Sequence, residues 1–353
     1  MPLFAAGVIG SMPRPAFVRD LFDPPPGHEP SQAERERRLD AAVAYVIALQ
    51  EQAGLDLISD GEWRRRSYIG VIAELAHGFT LETNPADGRP WTIVTGRLSP
   101  KDPGFIAAEA AFLRRAAKVQ TKITLPAPAL LGERLWHPQR SRKAYPKRED
   151  FVRDCVAPLR REIELISEAG VDIVQIDDPH LCLFVDPEVR ATYPDPDRAA
   201  DFAVDMINAL VEGQRGMKFA VHLCRRAGAR VRGEKHHAGT YGPILPQLNR
   251  LKVQHLTMEF TAAGADDLES LARLREDFEL GLGVVDVTPG VEQTPATIVA
   301  RVERALSRVR AERITLNPDC GFAPGSAAKV DIGEVERKLR AEAEAARLLR
   351  ARR

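Results

Sequence analysis

The sequence has no surplus charge of either sign: 50 Lys and Arg face 50 Asp and Glu. A broad nucleic-acid footprint needs a clustered excess of basic side chains, so DNA or RNA binding is disfavoured. No run of about 18 apolar residues occurs, and the opening decapeptide has neither a basic start nor a cleavage-site pattern. No membrane association and a cytoplasmic location are therefore expected. Cysteine is scarce. Cys155, Cys182, Cys224 and Cys320 are too few and too scattered for a disulfide framework, which directs attention to metal-bound or catalytic thiols. With 353 residues and 44% apolar side chains, the chain can bury a large core, either as two domains or as one α/β barrel.

What is present decides between these two. Eight short apolar runs recur: Phe4–Ile9, Leu55–Ser59, Lys122–Leu125, Asp172–Ile176, Lys218–Leu223, Gln254–Glu259, Gly281–Asp286 and Ile314–Asn317. Helical patterns separate them, among them Ala33–Ala53, Phe151–Ala169, Pro196–Gln214, Asp266–Arg275, Thr294–Val309 and Val335–Arg350. Such alternation predicts an α/β fold with a parallel sheet, and eight units in one domain of residues 1–353 predict a (β/α)8 TIM barrel. Two insertions are expected: a hairpin at Thr80–Leu98 turning at Ala86-Asp87-Gly88, and an irregular loop at Trp136–Lys147 over the barrel mouth.

In such a barrel the chemistry gathers at the C-terminal ends of the strands, so the residues following each run are the candidates. They are strongly polar: Ser59-Asp60-Gly61-Glu62, Asp177-Asp178-Pro179-His180, His222-Leu223-Cys224, Glu259, Asp286, and Asn317-Pro318-Asp319-Cys320-Gly321. His222 and Cys224 are two apart at a strand end, and the period of two points both to one face as a possible chelate. Glu259 ends an apolar run, where a lone buried carboxylate is costly without a cation. Cys320 adds a second sulfur. This nitrogen, sulfur and oxygen set prefers Zn2+ over magnesium or calcium. Structural zinc usually takes closely spaced sulfur pairs; ligands from three separated strands favour a catalytic site. Cys155 and Cys182 read as packed thiols, and His236-His237 as loop histidines.

The segments Val8-Ile9-Gly10-Ser11, Leu57-Ile58-Ser59-Asp60-Gly61-Glu62, Gln175-Ile176-Asp177-Asp178-Pro179, His222-Leu223-Cys224 and Asn317-Pro318-Asp319-Cys320-Gly321 resemble, in order, the cobalamin-independent methionine synthase family. The resemblance runs from about Val8 to Gly325 and matches the catalytic C-terminal half of the long plant and bacterial enzymes. It implies that His222, Cys224, Glu259 and Cys320 bind zinc. It implies that Ile9, Gly10 and Ser11 hold an amino-acid carboxylate and that Glu62 and Asp177 hold its ammonium group. Asp178, where the family usually has Glu, is grouped with them as a substrate-binding residue. The activity implied is methyl transfer to the thiol of homocysteine, forming methionine. Zinc ionises a bound thiol, whose free pKa is near 8.5, and the substrate sulfur must displace one ligand, the oxygen of Glu259, or expand the coordination.

One departure bears on the methyl donor. The family's strand-seven segment ends in a histidine that serves as acid for the folate leaving group, and the matching position here is Thr288. The nearest replacements on the rim are Asp286 and His180. The donor is therefore either methyl-folate or a methyl-corrinoid, possibly on a carrier protein. A corrinoid leaves without needing a proton. The competing reading is another zinc-dependent thiol alkyltransferase, resembling epoxyalkane:coenzyme M transferase, in which Arg225-Arg226 would bind a sulfonate. A barrel resembling uroporphyrinogen decarboxylase, or one that only binds, would leave the ligand set without purpose.

Overall fold

Seven of the eight apolar runs form strands of a single parallel sheet. A computed structural model describes residues 1–83, 90–225, 237–262, 264–323 and 330–353. Its strands are Leu57–Ile58 (β1), Ala76–Thr83 (β2), Pro90–Pro100 (β3), Gln120–Pro126 (β4), Ile173–Asp177 (β5), Lys218–Leu223 (β6), His255–Glu259 (β7), Glu279–Val285 (β8) and Ile314–Pro318 (β9). The main sheet is ordered β1-β4-β5-β6-β7-β8-β9, with β2 and β3 paired separately. Its strands are almost wholly buried, as a parallel sheet covered by helices requires.

The Phe4–Ile9 run forms no strand of its own. It contributes single parallel bridges, Ala6 to Leu316 and Gly7 to Leu57, so it touches both edges of the curled sheet. Two local features keep it irregular. Phe4 has φ 52°, outside the extended region. The Gly7 N–H is shared between Leu316 O and the carboxylate of Glu342, each 3.0 Å away. The second run shrinks to two residues because Gln50 takes over the backbone of Ser59, accepting from its N–H (3.0 Å) and donating to its carbonyl (2.8 Å).

The helices follow their end signals. Gln32–Ala53 starts at Ser31, whose hydroxyl accepts from Glu34 N at 3.2 Å, and stops at Gly54 with φ 92°. The expected helix Phe151–Ala169 is two, Arg148–Asp154 and Val156–Ala169, divided at Cys155. Pro158 explains the break, because its ring crowds the carbonyl four residues back, at Asp154. The expected Asp266–Arg275 contracts to Leu268–Ala272. The C-terminal helix Ile332–Ala351 packs on Gln32–Ala53 and Pro295–Leu306. None of the described helices is long and apolar enough to cross a membrane.

The hairpin is present and longer than expected, with register from Ala76 opposite Pro100 to Thr83 opposite Pro90 and an irregularity between His77 and Phe79. Ala86-Asp87-Gly88 lies outside the described residues, as do Arg226 and His236. The Trp136–Lys147 segment is irregular, tied by Trp136 Nε1 to Tyr145 O at 3.0 Å. It leans on the hairpin through Trp91 against His137 and an Arg140–Glu82 ion pair, and it does not line the pocket described below.

Beneath the rim, Arg65 pairs with Glu109 at 2.8 Å, both side chains only 1% exposed, and also donates to Thr124 Oγ1 at 3.0 Å. Removing one partner of a buried pair strands the other charge. Glu109→Ala should therefore lower unfolding stability by about 3–5 kcal/mol, read by denaturant titration. A loss below about 1 kcal/mol would mean that Arg65 finds other partners.

Candidate active site

A cavity of about 170 Å³ opens where the strands end, lined by Ile9, Ser11, Glu62, Tyr68, Asp177, His180, His222, Cys224 and Cys320, with Leu130, Glu133, Arg134 and Gly321 among its other walls. The sequence signals at the ends of five runs thus converge on one place.

Glu62 sits just beyond β1 at φ 59°, an uncommon left-handed conformation for a residue with a side chain, held by its N–H on Asp60 Oδ1 at 3.0 Å. Its Oε1 accepts from Thr124 Oγ1 at 2.8 Å, and Arg65 anchors that threonine. Gly10 is required here, because a Cβ on it would lie 2.6 Å from Glu62 Oε1. Burial, reinforced by the nearby Asp177 charge and opposed by Arg65, pushes the Glu62 carboxyl up to about 7. Ser11 packs so tightly on Gly321 that any side chain at 321 would collide with its hydroxyl.

Asp177 ends β5 beside His222 of β6, its register neighbour. Asp177 Oδ1 lies 3.0 Å from His222 Nδ1 and accepts from Gln175 Nε2 at 2.8 Å. Burial opposes a charge on His222, but the bond to Asp177 outweighs it and raises the imidazole pKa. The other ring nitrogen, Nε2, is buried with no hydrogen-bond partner. His222, Cys224 and Cys320 bring their ligating atoms within 4.8 Å of one another, and the two sulfurs are 3.1 Å apart. The Cys320 contact and burial push the Cys224 thiol well up. A buried imidazole nitrogen without a partner, facing two thiols, is a donor set that fits zinc.

Glu259 adjoins this group. Its Oε1 lies 3.4 Å from Cys224 Sγ and accepts from Arg225 N at 2.9 Å, while Tyr241 Oη donates to its backbone carbonyl. Arg225 itself is fully buried, its guanidinium 4.2 Å from the centre of the Tyr241 ring, and does not line the cavity. Asp178 is also away from the cavity. It caps the short helix Pro179–Leu183, accepting from Leu181 N at 2.9 Å, and burial raises its carboxyl to about 7. Asp286 accepts from Thr288 N at 2.8 Å, and neither residue is among those lining the pocket.

His180 does face the cavity, so its segment folds inward. Its Nε2 lies 3.0 Å from Tyr193 Oη and 3.4 Å from Glu133, and burial lowers its pKa in spite of Glu133. Cys155 and Cys182 are buried thiols, and His237 pairs with Asp186 at 2.8 Å. Sequence reading missed Tyr68, Glu133 and Arg134. The residues directly after β4 are Ala127-Pro128, so the rim looked empty there, and the polar pair arrives a turn later, in helix Pro128–Leu135.

A curled parallel α/β sheet carries a His-Cys-Cys group and buried carboxylates at its C-terminal rim, the edge where barrel-like α/β enzymes gather their chemistry. The profile of a family described as "Cobalamin-independent synthase, Catalytic domain" matches residues 4–347, and the chain belongs to that family. Methionine synthases from Saccharolobus islandicus and Saccharolobus solfataricus are 28% and 26% identical to it, each alignment covering 91% of this chain and 89% of the relative. Two solved structures share the fold. A B12-independent methionine synthase from Shewanella sp. W3-18-1, in complex with selenomethionine, aligns with TM-score 0.80 at 21% identity over 99% of this chain and 98% of that one. A putative vitamin-B12-independent methionine synthase from Listeria monocytogenes aligns with TM-score 0.73 at 23% identity over the same shares.

The closeness of Cys224 and Cys320 has a chemical consequence. A mild dithiol oxidant such as diamide, applied to metal-stripped protein, should join these two thiols, reducing the thiol count from four to two. Peptide mass mapping checks the pairing. Prior zinc loading should block it, whereas equal oxidation with and without zinc would separate the sulfurs from any metal.

Proposed function

We propose that this chain is a zinc-dependent S-methyltransferase acting on homocysteine to form methionine, built as one catalytic domain on an eight-unit barrel in which residues 4–9 stand in for the first strand. The observation that carries the reading is the His222 ring, held through Nδ1 by Asp177 and without a hydrogen-bond partner on Nε2, in a group whose ligating nitrogen and two buried sulfurs lie within 4.8 Å of one another in the cavity lining. The family membership and the methionine synthase relatives support it.

His222, Cys224 and Cys320 would hold the zinc, with Glu259 as the fourth, exchangeable ligand. The metal supplies Lewis acidity that ionises a substrate thiol near pH 7. Glu62 and Asp177 face the same cavity and pair with the substrate ammonium, Glu62 once it has lost its proton. Two carboxylates around one cation discriminate against thiols lacking the amine. Ile9 and Ser11 line the cavity with Gly10 between them, and this segment would take the carboxylate. Asp178 acts on the pocket only through the helix it caps, which carries His180. The donor enters from the Tyr68, Glu133, Arg134 and His180 side. Of the two acid candidates only His180 lines the cavity; with its pKa lowered it would assist the donor through a ring N–H of the neutral imidazole, whereas Asp286, which accepts from Thr288 N, is not among the lining residues.

The reading is tested by metal analysis and a thiol panel. Purified protein should carry about one zinc per chain, and Cys224→Ser or Cys320→Ser should strip it while the barrel stays folded. Homocysteine should turn over, with coenzyme M and mercaptoethanol far slower. Glu62→Gln should weaken homocysteine by about 1.5–3 kcal/mol, the value of a charge-assisted hydrogen bond. Equal turnover of coenzyme M would move the epoxide-opening reading ahead.

The donor is separately testable. General-acid assistance is worth about 10²–10⁴-fold, and Thr288 cannot provide it. A methyl-corrinoid should therefore outrun methyl-folate, and Thr288→His should raise folate-dependent turnover. Fast folate turnover by the unaltered protein, abolished by His180→Ala, would show that His180 has taken over as acid.

A further inference from the structure

Below the metal group, β4 and β5 bury a lysine that makes no ion pair among the described residues. Lys122 Nζ donates to Val8 O at 2.7 Å and to Gln175 Oε1 at 2.8 Å. Gln175 Nε2 donates in turn to Ile9 O at 3.1 Å and to Asp177 Oδ1 at 2.8 Å. Asp177 Oδ1 then meets His222 Nδ1. A buried ammonium without a carboxylate in contact is expensive, and stability alone would be served as well by an apolar side chain. Burial pulls the Lys122 ammonium down to about 8 while the Asp177 and Glu342 charges hold it up.

Each link in this chain has one possible direction. An ammonium has only donors, so the amide oxygen of Gln175 must face Lys122. The amide NH₂ must then face Asp177 and Ile9 O. An Asp177 oxygen that already accepts from Gln175 offers His222 only an acceptor, so Nδ1 carries a proton, and in the neutral ring Nε2 is left as a lone pair. Were the amide reversed, its oxygen would oppose both Asp177 and Ile9 O, and its NH₂ would oppose the ammonium.

We infer that Lys122 and Gln175 are positioning residues that, through Asp177, fix the proton of His222 on Nδ1 and present Nε2 to the metal. The inference rests on the zinc site proposed above. It gives Asp177 two duties, one oxygen orienting the imidazole while the carboxylate also faces the pocket. It also links the amino-acid end of the pocket to the metal end, because Gln175 holds Ile9 O as well as Asp177.

The test uses ¹⁵N-histidine-labelled protein, zinc-loaded and metal-stripped, with His222 assigned by difference against His222→Gln. Zinc affinity is measured by competition with a chelator. In the unaltered stripped protein, at a pH high enough for the ring to be neutral, His222 should show a protonated Nδ1 and a bare Nε2. Lys122→Met and Gln175→Met should each give mixed ring forms and weaken zinc about 10–100-fold, the range for groups that orient a ligand. If Lys122→Met fails to fold, the double variant Lys122→Met/Gln175→Met, which removes both partners together, carries the same expectation. Folded variants with an unchanged His222 signature and zinc affinity within twofold, whatever their thermal midpoint, would overturn the inference. An unaltered protein that binds no zinc, yet whose His222 form responds to both variants, would support the positioning role and overturn the zinc reading instead.

Discussion

The hydrogen bond between Asp177 and His222 is the interaction on which the site depends. It joins adjacent strands of the parallel sheet at their C-terminal ends and leaves Nε2 as the ring nitrogen without a hydrogen-bond partner. It also keeps a carboxylate in the wall of the pocket. Around it lies a concentration of acidic groups out of water: Glu62, Asp178 and Glu259, with the thiols of Cys224 and Cys320. Burial drives Glu62 and Asp178 toward their neutral forms, and the Cys320 contact together with burial does the same to Cys224. A rim arranged this way is electrostatically incomplete, and two kinds of cation would complete it: a metal on the sulfur side and a substrate ammonium on the carboxylate side.

The scaffold keeps this arrangement rigid. Arg65, locked on Glu109, holds Thr124, and Thr124 holds Glu62. Gly10 makes room for the Glu62 carboxylate and Gly321 for Ser11, so the segment after residues 4–9 approaches its two neighbours, those following β1 and β9, more closely than a side chain at either glycine would allow. The strained backbone of Glu62 is tolerated because Asp60 and this network over-determine it.

The parallel sheet was legible because seven runs are buried on both faces and read as continuous apolar stretches. The His-Cys-Cys group was legible because His222 and Cys224 stand two apart at the end of β6 and Cys320 follows the end of β9. Other features had no local signal. Phe4–Ile9 has strand composition, but its irregularity comes from the distant Glu342 and from a positive φ at Phe4. The division at Cys155 was written in Pro158 and was overridden in the reading by a long amphipathic pattern. Asp178, adjacent to Asp177, looked equivalent to it, yet the start of helix Pro179–Leu183 turns it into a cap. Lys122 and Gln175 were hidden inside apolar runs, since a polar residue in a buried strand acquires meaning only from what the neighbouring strand places opposite it.

The central claim is that one metal and one amino-acid thiol meet at this rim. X-ray absorption at the zinc edge, recorded on the loaded protein before and after adding homocysteine, tests it most directly. Two sulfur neighbours, contributed by Cys224 and Cys320, should become three when the substrate sulfur joins. A sulfur count unchanged at saturating homocysteine would contradict the account, because the thiol would then bind somewhere other than the metal.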